Sequence, residues 1–391
     1  MATGISFAVR IATTFRKKEG CWRLGLIKAL RGHGQLKESV RGIRPSQSAT
    51  AAFTRWVMLV EKKKSSVWIL KLAVKSGARR TGGLFNRIRA MDHAELHRSW
   101  TDECIHLEPT VICHAWMLKA GSSNGAKNIL QEFGGENIHW GLSESVLVDG
   151  DKVICTPGDR RATMVALDRN TGNVIWTAAV PTSPKASYAS PVAVDVGGVR
   201  QYVNYTHGGV VGVRASDGRV MWGHRESSNG TANCSTPVFY DGSIFTASGY
   251  DTGGALFRLQ SRNGQTVSQV AYSTREMKNH HGGMVVVNGY LYGSSDPGIL
   301  KCIELRSNRV VWQNRSVGKG AVSYADGHLY VRSEQGPVAL VEATSNAYEE
   351  KGRFDQPQRS GRAAWSHPVI ANGKLFLRDM DNLLAYDIRA N

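Results

Sequence analysis

The sequence contains no Cys-x-x-Cys and no two adjacent cysteines, and no apolar run reaches the roughly 18 residues that a membrane helix needs. Its 6 cysteines, Cys21, Cys104, Cys113, Cys155, Cys234 and Cys302, stand singly, so neither a zinc ribbon nor a vicinal disulfide is signalled. The best apolar stretch, around Ser66–Val74, is interrupted by Lys71, which argues against an integral membrane protein. No apolar segment followed by a small-residue cleavage site opens the chain, so no signal peptide is visible in this reading frame. Acidic residues are scarce in one part only. Residues 1–126 hold 22 Lys+Arg against 8 Asp+Glu, a net of +14, whereas residues 127–391 hold 27 against 24, a net of +3. A surplus confined to one segment removes nucleic acid as the expected partner of the rest.

The stretch Thr110–Gly135, TVICHAWMLKAGSSNGAKNILQEFGG, is a seam between these parts. Beyond it the chain repeats itself. VALDRNTGNVIW (165–176) carries the pattern D-x-x-T-G-x-x-x-W in Asp168, Thr171, Gly172 and Trp176. Weaker copies are VVGVRASDGRVMW, with Gly218 and Trp222, LKCIELRSNRVVW, ending at Trp312, and LFRLQSRNG (256–264). Each is preceded by an apolar strand, a DG or NG pair and a second strand: VLVDGDKVIC (146–155), VFYDGSIFTA (238–247), VVVNGYLYGS (285–294), VSYADGHLYV (322–331) and VIANGKLFLR (369–378). Such a pair between apolar runs is the strongest short-range hairpin signal. Each unit therefore reads as an antiparallel sheet of three or four strands in about 40 residues, the size of a propeller blade. Six units start near Ser143, Ser187, Asn233, Gly282, Gly320 and Ser366. The Asp is expected to bond the turn backbone, the Gly to supply positive φ, and Trp176, Trp222 and Trp312 to pack flat between neighbouring blades.

The unit resembles the pyrroloquinoline-quinone (PQQ) repeat of eight-bladed propellers, seen in quinoprotein dehydrogenases and in the outer-membrane barrel-assembly lipoprotein. NGTANCSTP (229–237), MKNHHGGM (277–284), YADGHLYVRSEQGPVALVEAT (324–344) and KGRFDQP (351–357) resemble the planctomycete branch of PQQ-like proteins. The resemblance covers about 127–391. It implies an all-β PQQ-repeat β-propeller, eight blades in the intact protein and about six encoded in frame here.

Two domains follow: 1–126, a basic non-propeller segment, and 127–391, an incomplete propeller. A basic, acid-poor, Ser-containing arm reads most simply as a transit peptide. The genetic code offers a sharper reading. Joining the last base of each codon to the first two of the next forces Asp at Trp68-Ile69, Trp100-Thr101 and Trp116-Met117, and Gly at Met91-Asp92. The same frame allows G-T-D-G-D-L-S-C-L-D-A-K-S-G over Leu107–Gly121, then a Trp at the Asn124-Gly125 junction, eight residues after the forced Asp. Two further blade motifs are hidden in this way. Residues 1 to about 125 thus read as an out-of-frame translation, restored between Gly121 and Lys127, and the +14 as its by-product. As written, the segment is expected to be disordered, irregular or falsely helical, and the six units to be left with raw strand edges.

Aligned on the DG and NG turns, the residues leading into each unit are His139-Trp140 with Glu144-Ser145, Tyr188 with Ser190, Asn233-Cys234-Ser235, Asn279-His280-His281, and Trp365-Ser366-His367. Trp140, Glu144, Asn233, Asn279, His280, His281, Trp365 and His367 form the candidate ring at one mouth of the channel. A metal or cofactor site at His280, His281, His367 and Glu144 competes with plain hydrogen bonding of the blades, and adjacent histidines on a strand point opposite ways. No catalytic residue and no metal site is assigned, and Cys234 reads as a packing thiol.

Two functions are implied by the resemblance. One is a non-enzymatic scaffold in the periplasm or cell envelope, binding a protein or polymer at the propeller face. The other is a PQQ- and calcium-dependent alcohol dehydrogenase of the polyvinyl-alcohol type. Such dehydrogenases carry an adjacent Cys-Cys pair against the quinone, a Trp beneath it, and Glu, Asn and Asp around the calcium. The missing Cys-Cys pair favours the scaffold.

Overall fold

A computed structural model describes residues 127–181, 185–262, 265–380 and 382–389, and the backbone of the strands Ile11–Lys18, Cys21–Lys28, Arg55–Lys63, Val67–Lys75, Leu118–Lys119 and Ser122–Ser123. The fold is an all-β propeller array. Five sheets have four strands each in sequence order. They run from Leu147–Asp149 to Val174–Ala178, Val192–Val196 to Val220–His224, Val238–Tyr240 to Gln265–Thr274, Val285–Val287 to Arg309–Asn314, and Gly320–Ala325 to Glu350–Asp355. The sixth contains Val369–Ala371, Lys374–Asp379 and Asn382–Asp387. First strands touch between the first and second sheets and from the third sheet through the sixth, which makes them the inner strands.

The hairpins form where Asn or Asp accepts positive φ beside Gly: Asp241-Gly242, Asn288-Gly289, Asp326-Gly327 and Asn372-Gly373 are all left-handed, the type I′ pattern that matches strand twist. In the first sheet Asp149 still belongs to the strand, and the turn is Gly150-Asp151, with Gly150 at φ 62°. The third-to-fourth strand register slips at one place in each of the first five sheets. This bulge turns Val174 and Trp176 to opposite faces although they are two residues apart. Trp176 opposes Ala166 and packs toward the second sheet, against Tyr202, Val211 and Val213. The upstream face of the first sheet is covered by the short helix Ile129–Phe133, whose Ile129 and Leu130 bury against Val153, Cys155, Val165 and Leu167.

Two expectations need correction. The segment before the seam carries paired strands, Ile11–Lys18 with Cys21–Lys28 and Arg55–Lys63 with Val67–Lys75, rather than irregular or helical backbone at those places. Runs such as WVMLVE and VWILKLAV are apolar, β-branched and separated by a few polar residues, which suffices for a local hairpin. The outer edge of the last sheet is not raw either, because Ile11–Lys18 pairs antiparallel with Asn382–Asp387 as its fourth strand. Apart from the short pair Leu118–Lys119 with Ser122–Ser123, the rest of residues 1–126 lies outside the described residues.

Candidate functional site

The turn motif comes first, because it fixes the blades that carry the site. Asp168 Oδ1 accepts from the backbone N–H groups of Asn170 and Thr171 and from Thr171 Oγ1, all within 2.9 Å. Gly172 follows at φ 75°. Trp176 lies flat on Gly218, where an added Cβ would stand 2.6 Å from the ring, and its Nε1 donates to Ala215 O at 3.0 Å. Trp312 donates to Thr344 O at 2.8 Å. Trp222 instead donates to Gln201 Oε1, and Gln201 Nε2 donates on to Thr266 of the next sheet. Tyr272 occupies the tryptophan position of the third sheet, and its hydroxyl donates to Leu305 O at 2.7 Å. Each aromatic ring so ties its blade to the following one.

The segments leading into the first strands are stitched together in the same circular sense. Ser145 N donates to Ser190 Oγ, Asn233 N to Ser187 Oγ, Ser235 Oγ to Asn279 Oδ1, Val322 N to Gly283 O and Ser323 Oγ to Pro368 O. Asn233 and Asn279 are fully buried and spend their amides on backbone. Asn233 Nδ2 donates to Thr206 O and His207 O, and Asn279 Nδ2 to Gly282 O and Ser294 O. Glu144 is also buried. Thr156 N donates to its Oε1 at 2.6 Å, and burial pushes its carboxyl up to about 7. Asn233 and Asn279 hold the blades, whereas Glu144 bonds within the first sheet and its Oε2 is buried without a partner.

Of the others, His280, His281 and Trp365 come together. Tyr250, His280, His281 and Trp365 form a line of rings with successive centroid distances of 4.5, 5.5 and 6.5 Å. Tyr250 is 44% and Trp365 54% exposed. Two carboxylates back the line. Asp296 lies 3.1 Å from His280 Nδ1 and 3.0 Å from Lys319 Nζ, and Glu334 lies 3.1 Å from His281 Nε2 and 3.4 Å from Trp365 Nε1. Burial holds His281 neutral, down to about 3, with Lys319 and His280 adding to the effect. His367 is held neutral by burial too, and its ring lies 2.7 Å from His281 O. Trp140 stands apart from this line, tilted against Tyr188 at 5.7 Å. Cys234 is a free thiol pushed up to about 12 by burial, which removes it as a nucleophile near neutrality.

Tyr250, Asp296, Lys319 and Glu334 were not legible from the segments that precede the first strands. Three of them come from the second-to-third strand turns, which an antiparallel meander returns to the same end, and Lys319 immediately precedes the fifth sheet. Arg332 is a second omission. It is buried, donates to Ser366 O at 3.0 Å, and so fixes the loop that carries Trp365. Among the described residues no three His, Cys, Asp or Glu side chains are arranged to hold a metal ion, and no helix is long and apolar enough to cross a membrane.

The family model described as "outer membrane protein assembly factor BamB", a PQQ-repeat model, matches residues 115–314, just over half of the chain. The chain belongs to this PQQ-repeat family. Solved structures similar to this propeller include BamB from Moraxella catarrhalis, at 17% identity over 63% of this chain and 70% of that one, with a TM-score of 0.47. Quinohemoprotein alcohol dehydrogenase from Comamonas testosteroni is also similar, at 10% identity over 71% and 65%, with a TM-score of 0.45. Apo AztD from Citrobacter koseri has 12% identity over 63% and 68%, with a TM-score of 0.40. No curated protein matches the chain.

Proposed function

We infer that the protein is a non-enzymatic binding module of the cell envelope, and that its ligand is an extended segment of another protein held across the propeller mouth. The observation that carries this reading is the line of Tyr250, His280, His281 and Trp365. Two large rings stay exposed at its ends while carboxylates and a lysine fix the rings between them, an arrangement suited to a chain that offers apolar side chains and backbone polar groups. The near-neutral balance of residues 127–391 speaks against a nucleic-acid ligand.

PQQ with calcium fits the residues poorly. Cys234 has no adjacent cysteine, Asn233 and Asn279 have committed their amides to backbone, and Glu144 is a buried carboxyl that is largely protonated below neutrality. The asparagines that the resemblance would offer to the cofactor are the ones that hold the blades. The dehydrogenase reading remains the second one, and its own test is PQQ- and calcium-dependent dye reduction.

The direct test is a titration of the full chain with a urea-unfolded outer-membrane barrel protein diluted to non-denaturing conditions, followed by anisotropy of a label on that protein. Trp365→Ala and Tyr250→Ala are each expected to weaken binding about tenfold or more. Saturable binding that both variants leave unchanged contradicts the site. Dye reduction that requires added PQQ and calcium contradicts the non-enzymatic role.

A further inference from the structure

Arg332 lies on the second strand of the fifth sheet, His328–Ser333, two residues after Tyr330, so that both face the sixth sheet. Two of its guanidinium nitrogens are engaged there. Nη1 donates to Ser366 O at 3.0 Å and Nη2 to Gln356 Oε1 at 2.6 Å. Gln356 Nε2 donates on to Asp379 Oδ2 at 3.2 Å, and Arg359 Nε lies 3.4 Å from the same oxygen. Asp379 also accepts from Ser360 N and Ser360 Oγ, so both of its oxygens are taken.

Three donors around this network are buried and reach no acceptor: Arg332 Nε, Arg359 Nη1 and Tyr386 Oη. Arg332 is 1% and Tyr386 2% exposed, and Tyr386 and Arg359 both lie within electrostatic reach of Arg332. A buried donor without an acceptor is costly and uncommon. Charge points the same way. Among the described residues of the network, two guanidinium groups face one carboxylate, that of Asp379. The Glu334 carboxylate is turned instead to His281 and Trp365. Burial pushes Arg332 down to about 10, which still leaves it charged near neutrality. One positive charge in the interior is therefore uncompensated.

The geometry points to a buried anion site at the junction of the fifth and sixth sheets, in which Arg332, Arg359 and Tyr386 hold one small monovalent anion of the halide class. Water suits the site less well. It has two lone pairs for three donors, brings protons that need acceptors of their own, and leaves the surplus charge in place. The surroundings set the size and charge of the ion. Tyr386 belongs to the apolar cluster of Tyr330, Leu340, Leu375 and Leu377, which leaves no space for a bulky or strongly hydrated ion. A single negative charge cancels the surplus, whereas a double one reverses it. Because Arg332 also holds Ser366 O, a bound anion fixes the loop that carries Trp365 to the interior.

The test is the thermal midpoint of the full chain as sodium chloride replaces sodium gluconate at constant ionic strength and neutral pH. Gluconate is also monovalent but too large to enter. A saturating rise of roughly 3 °C or more is expected. Arg359→Gln removes the surplus charge at a side chain that is 20% exposed, and should abolish the rise. Tyr386→Phe keeps the ring against Phe354, 5.0 Å away, and removes one donor. It should raise the chloride concentration at half effect about fivefold. A midpoint that stays the same when chloride replaces gluconate overturns the site, and so does a rise that both variants keep undiminished.

Discussion

Single residues divide into those that hold blades and those that face solvent, and the two groups predict different losses. Trp176 belongs to the first. Its ring is buried on Gly218 and its N–H is satisfied across the junction, so Trp176→Ala should cost about 3–5 kcal/mol, measured by denaturant unfolding. An unchanged midpoint would remove the indole from the blade interface. Trp365, more than half exposed, should cost well under 1 kcal/mol when truncated, so that its effect appears in binding. Glu144 makes a pH prediction. Burial raises its carboxyl from 4.5 to about 7, so the fold favours the protonated form. That contribution is complete below about 4.5 and is lost as pH rises toward 7, up to about 3 kcal/mol over the interval. Glu144→Gln keeps an acceptor for Thr156 N and should flatten this loss. Stability curves of the two proteins that stay parallel from pH 5 to 7 would contradict it.

At the scale of elements, the hairpins show what was legible and what was not. Asn-Gly and Asp-Gly turns, and the strands they join, could be read directly because the required left-handed backbone leaves few residue choices. The bulge could not be read. A two-residue period places Val174 and Trp176 on one face, and the register slip that separates them leaves no mark in composition. Tyr272 was missed as the third sheet's counterpart of tryptophan for a related reason, since its role depends on the slip between Leu256 and Phe257. Within the site, the histidines and Trp365 were legible as polar and aromatic residues before inner strands. Asp296 and Glu334 were not, because only the fold brings the second-to-third strand turns beside them. The bulge also makes a prediction. Gly212 is a strand glycine whose added Cβ would stand 2.3 Å from the Trp222 ring, whereas Gly327 sits in an open turn with nothing within 4 Å. Gly212→Ala should therefore cost about 3 kcal/mol and Gly327→Ala about 1 kcal/mol. Equal losses in denaturant unfolding would show that strain rather than ring packing sets both.

At the scale of the whole molecule, we propose that the six sheets of residues 127–391 belong to an eight-bladed propeller, and that residues 1 to about 125 come from the wrong reading frame. The charge asymmetry and the forced Asp residues at blade spacing are what this proposal accounts for. The most direct test is to sequence the gene from upstream of Met1 through the codon for Lys127. The account predicts one inserted or deleted base between the codons for Gly121 and Lys127, with two blade motifs open in the other frame. A continuous frame, together with a mass spectrum of the mature protein that contains peptides from residues 1–120 as written, would contradict it.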